Sequence, residues 1–422
     1  MELTRRNLGK LAVATGAVAA AGTGVGTALS RSADAAATWK TTGTAVSALA
    51  GFDNQMKAFM QARGITAGQL AVTYKGRLVL ARGYSTSTAL TVNPTSLFRV
   101  ASLTKSFTAA AIVKLVQDGK LSLSTPVVNL LDITPATGLT RDSRWSSITL
   151  WKLLQHIGGW DRDVSGDPLA KDAVISRTLG VPMELQHADV IKYMAGQKLD
   201  FNPGTKVAYS NFGYLLAGRV IEKVTGLPYA TYVQQKLLTP LKIKRMAQGY
   251  TIAKHTGETS YESQYTAPTV LDMSGKTVAA PYGSFSMRLH DANGGWIASA
   301  PDLVRWAKMF DAPGSVLNST SLSHFWSKPS TGVNPDGWYY GLGWQVRPVT
   351  GGTGRNTWHT GSLPGTFTIV VRTYNGMSWA ALFNRRDDAS GKSYGDIDAA
   401  LWTAANGVKS WPTNDFFPTY FA

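Results

Sequence analysis

Ser102 and Lys105 are the side chains in this sequence whose types and spacing point most directly to chemistry. Lys105 is the only one of the 22 lysines with a serine three residues before it. Positions i and i+3 of a helix share a face, so the hydroxyl and the amine would be neighbours. A buried lysine can lose its proton and activate a hydroxyl. The same spacing also fits a helix-capping serine followed by an exposed lysine.

Two later segments carry further groups suited to nucleophilic catalysis. Tyr209 and Asn211 follow the turn Phe201–Gly204, and the tetrapeptide His359–Ser362 precedes the last predicted hairpin. A tyrosine can transfer a proton if a nearby cation adjusts its pKa, which is about 10 when unperturbed. The alternatives are a core position for Tyr209 and a purely structural strand position for His359.

Together these motifs resemble the signatures of serine penicillin-recognising enzymes with the class C β-lactamase-type fold. That family includes D-alanyl-D-alanine carboxypeptidases, class C β-lactamases, and related esterases and D-amino-acid peptidases. Its signatures are Ser-x-x-Lys, Tyr-x-Asn and a Lys/His-Thr-Gly triplet, and all three occur here in that order. The similarity extends over roughly residues 50 to 405 and includes Gly119–Leu123, Val224–Tyr229 and Tyr340–Trp344.

The resemblance implies a catalytic role for three of these residues. Ser102 would be acylated, Lys105 would share its proton, and Tyr209 would act first as general base and then as general acid. An acyl-enzyme would form and then be hydrolysed by water. No metal ion and no organic cofactor is implied.

The resemblance also implies substrate-binding roles. Asn211 would hold the acyl-side amide of the substrate. The backbone N–H groups of Ser102 and Ser362 would form an oxyanion hole. His359, Thr360 and Gly361 would line the cleft on an edge strand, with Thr360 available to a substrate carboxylate or carbonyl.

Some residues depart from the family pattern. His359 stands where the β-lactamases carry lysine, and histidine is only partly charged near neutral pH; this favours a carboxypeptidase or esterase over a β-lactamase. Gln345 stands where some carboxypeptidases grip the substrate carboxylate with arginine. Arg347 is two residues after Gln345, so in a strand both side chains point to the same face, and Arg347 is a candidate substitute for the missing arginine. His156 is expected to be structural, below the active site.

The hydrophobic pattern predicts the elements that position these residues. A strand hairpin turns at Lys75-Gly76, a helix runs from about Leu103 to a stop at Asp118-Gly119, and the chain returns to strands from about Gly294. The other predicted elements are helices at Gly213–Val224 and Tyr229–Leu238, a hairpin of Thr366–Thr373 and Ser378–Asn384 around Asn375-Gly376, and a closing helix at Asp396–Ala405.

This order predicts an α/β (α+β) fold, an antiparallel sheet flanked by helices with an inserted all-helical domain. The resemblance implies that the fold is β-lactamase/transpeptidase-like. The predicted α/β sandwich domain comprises residues 51–120 and 286–422, and the helical insert comprises residues 121–285.

Composition excludes several other kinds of chemistry. The 422 residues include no cysteine, which removes disulfides, thiol catalysis and cysteine-ligated metals. No two of the six histidines are close enough in sequence to form a local zinc pair. Gly391–Gly395 matches a nucleophile elbow, but that fold needs a later histidine, and the last one is His359. The net charge of +16 is not concentrated in a basic run, so no nucleic-acid partner is expected.

The first residues match a twin-arginine export signal. Arg5-Arg6 precedes the weakly apolar stretch Leu11–Leu29, and Ala33-Asp34-Ala35 fits a cleavage site. The glycines in the apolar stretch make it a poor membrane-spanning helix, so no stable anchor is expected after cleavage. We therefore predict a signal peptide at residues 1–35, a linker at 36–50, and a secreted, periplasmic or cell-envelope protein.

Three functions fit these observations. The first is an exported serine hydrolase of the D-alanyl-D-alanine carboxypeptidase type, penicillin-reactive, acting on a small molecule or peptide such as a peptidoglycan stem peptide. The second is an esterase, acyltransferase or D-amino-acid peptidase of the same fold. The third is a non-catalytic protein that binds the cell envelope, against which the full set of motif residues argues.

Overall fold

The computed structural model describes residues 38–86 and 91–422, so the predicted signal peptide at residues 1–35 lies outside the described residues. The strands in this part of the chain are β1 (Trp39–Thr42), β2 (Ala67–Tyr74), β3 (Arg77–Thr86), β4 (Phe98–Arg99), β5 (Ala247–Gln248), β6 (Thr266–Pro268), β7 (Thr277–Ala279), β8 (Trp296–Ala298), β9 (Tyr339–Tyr340), β10 (Gln345–Pro348), β11 (Arg355–Leu363), β12 (Thr366–Arg372) and β13 (Met377–Phe383). The α-helices are α1 (Ala50–Gln61), α2 (Thr104–Gln117), α3 (Leu150–Leu154), α4 (Asp172–Leu179), α5 (His187–Ala195), α6 (Asn211–Thr225), α7 (Tyr229–Val233), α8 (Ala300–Lys308), α9 (Ser319–Phe325), α10 (Ile397–Asn406) and α11 (Phe417–Tyr420).

An antiparallel sheet forms the centre of the structure. Its strand order is β1-β3-β2-β13-β12-β11-β10-β9. Both predicted hairpins are present in this sheet. Lys75 and Gly76 both have positive φ, +47° and +76°, as a tight turn between strands of right-handed twist requires. Gly376 takes φ +82° in the other turn.

Helices cover both faces of the sheet, which confirms the predicted fold class. Alternate side chains of β13 point to opposite faces. Trp379 joins the core formed with α1 and α10, whereas Ala380 belongs to the core that contains α2 and α8. The burial of two apolar cores holds the layers together, and it places α2 against the face of the sheet that carries the candidate site.

The helix predicted from about Leu103 is α2, and it ends as predicted before Asp118 and Gly119. Nearly every side chain from Thr104 to Val113 is buried, so this helix is surrounded on all sides rather than amphipathic with one apolar stripe. Its polar residues are satisfied internally: the Ser106 hydroxyl accepts a hydrogen bond of 3.0 Å from the Trp306 indole.

Three sequence expectations differ from the structure. Residues 36–50, predicted to be a linker, contain β1, which pairs with β3 and extends the sheet. Residues 121–285 hold α3 to α7 but also the short strands β5 to β7, so this insert is not all-helical. The chain beyond Gly294 forms α8 and α9 as well as strands.

Among the helices of the described residues, none is both long enough and apolar enough to span a lipid bilayer.

Candidate active site

Ser102 lies in a single 3-10 turn, Ala101–Leu103, which leads directly into α2. The residue before it, Ala101, has φ +48°, a conformation that is costly for a residue with a side chain. Thr368 of β12 donates a hydrogen bond of 3.0 Å to the Val100 carbonyl and ties this turn to the sheet. The Ser102 side chain is partly exposed, whereas its neighbours Ala101 and Leu103 are buried. The turn therefore presents one hydroxyl to the cleft.

Lys105 is fully buried, one turn after Ser102. Its Nζ atom lies 3.2 Å from Ser102 Oγ, 2.7 Å from Asn211 Oδ1 and 2.8 Å from the Asn293 carbonyl oxygen. The last two oxygens can only accept hydrogen bonds. A neutral amine would donate both of its hydrogens to them and direct its lone pair at the Ser102 hydroxyl.

The electrostatic surroundings of Lys105 favour that neutral amine. Burial holds the pKa of Lys105 well below its usual value. The Asp167 carboxylate opposes this shift, and the Arg162 guanidinium adds to it. Lys105 is therefore placed and tuned to accept the Ser102 proton.

Tyr209 lies immediately before the N-cap of α6, where the Ser210 hydroxyl accepts from the Gly213 amide at 3.2 Å. Lys105 Nζ lies 4.7 Å from the centroid of the Tyr209 ring. Desolvation by the surrounding protein raises the pKa of Tyr209, and the nearby Ser102 hydroxyl and Arg162 guanidinium oppose that rise. Before substrate binds, the site thus favours the protonated phenol of Tyr209, which is an acid. The family resemblance had implied that Tyr209 acts first as a general base.

Asn211 begins α6, and both ends of its side-chain amide are held. Oδ1 accepts from Lys105, and Nδ2 donates a hydrogen bond of 2.5 Å to Asp167 Oδ2. The other oxygen of Asp167 caps the short turn Pro168–Ala170 by accepting from the Leu169 amide at 3.0 Å. The second Nδ2 hydrogen of Asn211 remains available for a substrate carbonyl.

The strand β11 lies between β12 and β10, so it is an interior strand of the sheet and not the edge strand expected from the resemblance. Its approach to Ser102 depends on Gly361. A Cβ atom at this position would lie 2.1 Å from the Val100 carbonyl oxygen, so only glycine fits. This contact sets the strand directly against the nucleophile turn, which is the arrangement required for Ser362 and Ser102 to share an oxyanion hole. Thr360 and Ser362 are partly exposed. They alternate with His359 and Gly361, so their side chains project to the face of β11 opposite the one that meets the Ser102 turn, and the expectation that the Thr360 side chain lines the cleft is not met.

His359 differs from the expectation that it is a partly charged group facing the substrate. It is buried, with Nδ1 2.6 Å from the Thr360 carbonyl oxygen and Nε2 2.8 Å from the Tyr340 hydroxyl. Because a carbonyl only accepts, Nδ1 carries the hydrogen and Nε2 accepts from Tyr340. Burial, with a further contribution from Lys105, lowers the pKa of His359 to about 3. His359 is therefore neutral and both of its ring nitrogens are occupied.

His156 lies beneath Tyr209, in the position expected of a structural histidine. The two ring centroids are 4.3 Å apart, and Nδ1 of His156 accepts a hydrogen bond of 3.1 Å from the Ser210 amide. These contacts fix the backbone that carries Tyr209.

Arg347 does not lie in the cleft, so the idea that it replaces a carboxylate-binding arginine is wrong. Its guanidinium carbon is 5.3 Å from the centroid of a Trp358 ring. Trp358 and His359 are consecutive on β11, so their side chains point to opposite faces of the sheet. Arg347 therefore lies behind the strand that lines the site.

The structure adds three residues that the sequence motifs did not identify. Asn293 and Asp167 hold Lys105 and Asn211, as described above. The guanidinium carbon of Arg162 lies 5.0 Å from the Tyr209 ring centroid, and within residues 38–86 and 91–422 it has no ion-pair partner. Arg162 lies six residues after His156 in the sequence, and no motif marked it as a site residue.

These groups together are suited to covalent acyl transfer. The Ser102 hydroxyl can act as a nucleophile, the Lys105 amine as a base and the Tyr209 phenol as an acid. The described part of the chain contains no group of three or more histidine, aspartate or glutamate side chains placed to hold a metal ion.

Comparison with known proteins identifies the family and the fold. The sequence profile of the family described as Beta-lactamase matches residues 52–401. Protein flp of Staphylococcus aureus (strain MW2) is 27% identical over 316 residues, which are 74% of this chain and 58% of that protein. The chain thus spans less than two thirds of the length of this curated relative.

Two solved structures share the fold. An octameric penicillin-binding protein homologue from Pyrococcus abyssi superposes with a TM-score of 0.62 at 24% identity, covering 86% of this chain and 79% of that one. A D-stereospecific amidohydrolase from a Streptomyces species gives a TM-score of 0.62 at 24% identity, covering 83% of this chain and 98% of that one.

Proposed function

Because the chain belongs to the beta-lactamase family, whose members are serine hydrolases, we propose that it is an exported serine hydrolase that cleaves amide bonds through an acyl-enzyme. The observation that carries the proposal is the meeting of Ser102, Lys105, Tyr209 and Asn211 in one site. A buried lysine is costly to fold. A protein that only binds the cell envelope would have no reason to keep that lysine beside a serine hydroxyl.

The geometry supports a specific order of proton transfers. Ser102 Oγ bonds to the substrate carbonyl carbon while its proton passes to Lys105, and the backbone N–H groups of Ser102 and Ser362 stabilise the oxyanion by about 3 kcal/mol per donor. The carbon–nitrogen bond breaks as Tyr209 protonates the leaving amine, and the proton held by Lys105 restores the phenol. Water then attacks the acyl carbon and gives one proton to Lys105, which passes it to Ser102 Oγ as the ester bond breaks, so that the free serine and the acid product are formed.

The proposed substrate is a D-alanyl-D-alanine peptide, and a penicillin would acylate the same serine. Recognition of a C-terminal carboxylate calls for a cation near the cleft. His359 is neutral and Arg347 is on the far face of β11, whereas Arg162 lies beside Tyr209. We assign carboxylate recognition to Arg162.

One observation favours a second candidate, an esterase, acyltransferase or D-amino-acid peptidase of the same fold. The β11 position that carries a lysine in the β-lactamases holds a neutral, fully hydrogen-bonded histidine here. Substrates that lack a terminal carboxylate do not need a positive charge at this position of β11.

A substrate panel separates these candidates. The mature protein is incubated with a penicillin, a D-alanyl-D-alanine peptide, a D-amino-acid amide and a short-chain ester, and adducts and products are followed by mass spectrometry. The main proposal expects a penicillin adduct and release of D-alanine. Turnover of the amide or ester alone would support the second candidate, and no reaction with any member would refute both.

Export is part of the proposal and rests on the Arg5-Arg6 pattern. Replacing both arginines with lysine should retain the protein in the cytoplasm, and unchanged export of that variant would contradict the twin-arginine assignment.

A further inference from the structure

A cavity of about 40 Å³ lies behind β11, on the face of the sheet that packs against α10. Its walls are formed by Arg347, Asn356, Trp358, Val371, Asp398 and Trp402. A water-sized group needs roughly 10–15 Å³ of such space, so the cavity has room for a few non-hydrogen atoms. It is separated from the candidate active site by the strand itself, because Trp358 and His359 point to opposite faces.

Asp398 is a buried carboxylate without partners in this cavity. Its side chain belongs to the first turn of α10 and the residue is only 5% exposed. Neither of its carboxylate oxygens makes a hydrogen bond within the described part of the chain. Burial raises the pKa of Asp398 to about 7, and Arg347 and Trp402 oppose the rise. Burying an unpaired carboxylate costs free energy because the charge is desolvated. A cationic or hydrogen-bond-donating partner for Asp398 would offset that cost.

Arg347 supplies the opposite charge on another wall of the cavity. Its guanidinium stacks over Trp358, and its hydrogen bond within the described residues is a long one, 3.4 Å to the Asp336 carbonyl oxygen. Arg347 and Asp398 attract each other electrostatically, yet no ion pair of 4.0 Å or less joins them. A carboxyl group and a guanidinium thus face one space that also has two indole walls.

We propose that this cavity binds a small zwitterionic α-amino acid of the size of glycine or alanine. The ammonium group lies on the Asp398 carboxylate between the indoles of Trp358 and Trp402, where cation–π attraction adds to the charge pairing. The carboxylate of the amino acid accepts hydrogen bonds from Arg347 and Asn356. This site is independent of the hydrolase proposed above.

Titration calorimetry on the Ser102→Ala protein tests the proposal without interference from acylation. Glycine, D-alanine and L-alanine are titrated separately, with methylammonium and acetate as probes for each half of the ligand. At least one of the amino acids should bind one-to-one with a Kd of about 1 mM or tighter, which corresponds to about −4 kcal/mol. The two half-ligands should bind more weakly than the zwitterion.

Variants of the cavity identify where the ligand binds. Asp398→Asn and Arg347→Gln should each weaken binding by about tenfold or more, since each removes one charge pair. Asp396→Asn is the matched control, because Asp396 occupies the N-cap position of the same helix but its side chain is 63% exposed and pairs with Arg63. If Asp398→Asn does not fold, Arg347→Gln and Trp402→Phe decide the question. No saturable binding by any amino acid, or equal binding in the control and the cavity variants, would overturn the site.

Discussion

The side-chain amide of Asn211 is oriented by Asp167, whose carboxylate accepts a hydrogen bond of 2.5 Å from Asn211 Nδ2. The opposite orientation would turn the amide oxygen toward the carboxylate and the NH₂ group toward the amine of Lys105. Asp167 therefore fixes the acceptor that Lys105 uses at 2.7 Å.

Replacing Asp167 with alanine should lower kcat by about tenfold, since the Asn211 amide loses its orientation and Lys105 loses a hydrogen-bond acceptor. Removing the carboxylate also removes a charge that raises the pKa of Lys105. The acid limb of the pH–rate profile should therefore move to lower pH. Asp163→Ala in the same loop is the control, and a loss of activity with an unmoved acid limb would mean that Asp167 is only structural.

Tyr209→Phe should slow acylation by about 100-fold or more, because the leaving amine loses its proton donor. Stopped-flow kinetics with a chromogenic penicillin or amide measures this rate. Tyr232→Phe is the control, since that phenol is buried in α7 and its hydroxyl has no hydrogen-bond partner in the described part of the chain. An acylation rate equal to wild type in Tyr209→Phe would remove this tyrosine from the mechanism.

Local patterns were sufficient to predict the hairpins and α2. The dipeptides Lys75-Gly76 and Asn375-Gly376 indicate turns that need positive φ. The apolar repeat that ends at Asp118-Gly119 predicts the helix α2. The helix α8 was missed although Ser299 and Asp302 form a capping box at its start.

Local sequence patterns could not predict which groups hold the site residues, because these groups come from distant segments of the chain. Lys105 and the Asn293 carbonyl are 188 residues apart, and Asn211 and Asp167 are 44 apart. The alternation of side chains along a strand places Gln345 and Arg347 on one face. It does not determine which face of the strand meets the cleft. The charge state of His359 depends on burial and on Tyr340, and neither is visible in a short motif.

Arg162→Gln should raise KM for a D-alanyl-D-alanine peptide by about tenfold and leave KM for an uncharged ester nearly unchanged, because a charged hydrogen bond to the carboxylate is lost. Lys206→Gln is the control, as this exposed lysine pairs with Asp161 rather than with the site. Arg162 also lowers the pKa of Tyr209. Equal losses with both substrates would show that Arg162 acts through Tyr209 and not on the substrate.

The folded protein should lose stability as the pH falls below about 6.5. The pKa of His359 is about 3 in the folded protein, whereas its reference value is 6.5. Between about pH 3 and pH 6.5 the unfolded chain therefore binds more protons than the native state. Protons therefore favour unfolding in this window. Urea unfolding at pH 7, 5 and 4 measures the slope, and His359→Gln should make it shallower. A His359→Gln slope as steep as that of the wild type would contradict a neutral buried His359.

Intact-mass spectrometry of the mature protein after incubation with a penicillin tests the catalytic assignment most directly. Wild type should gain the full mass of one penicillin, because ring opening on Ser102 releases no fragment, and a peptide digest should place the adduct on the fragment that contains Ser102. Ser102→Ala, shown to be folded by circular dichroism, should gain nothing. Labelling of Ser102→Ala to the same extent as wild type would contradict the assignment of Ser102 as the nucleophile.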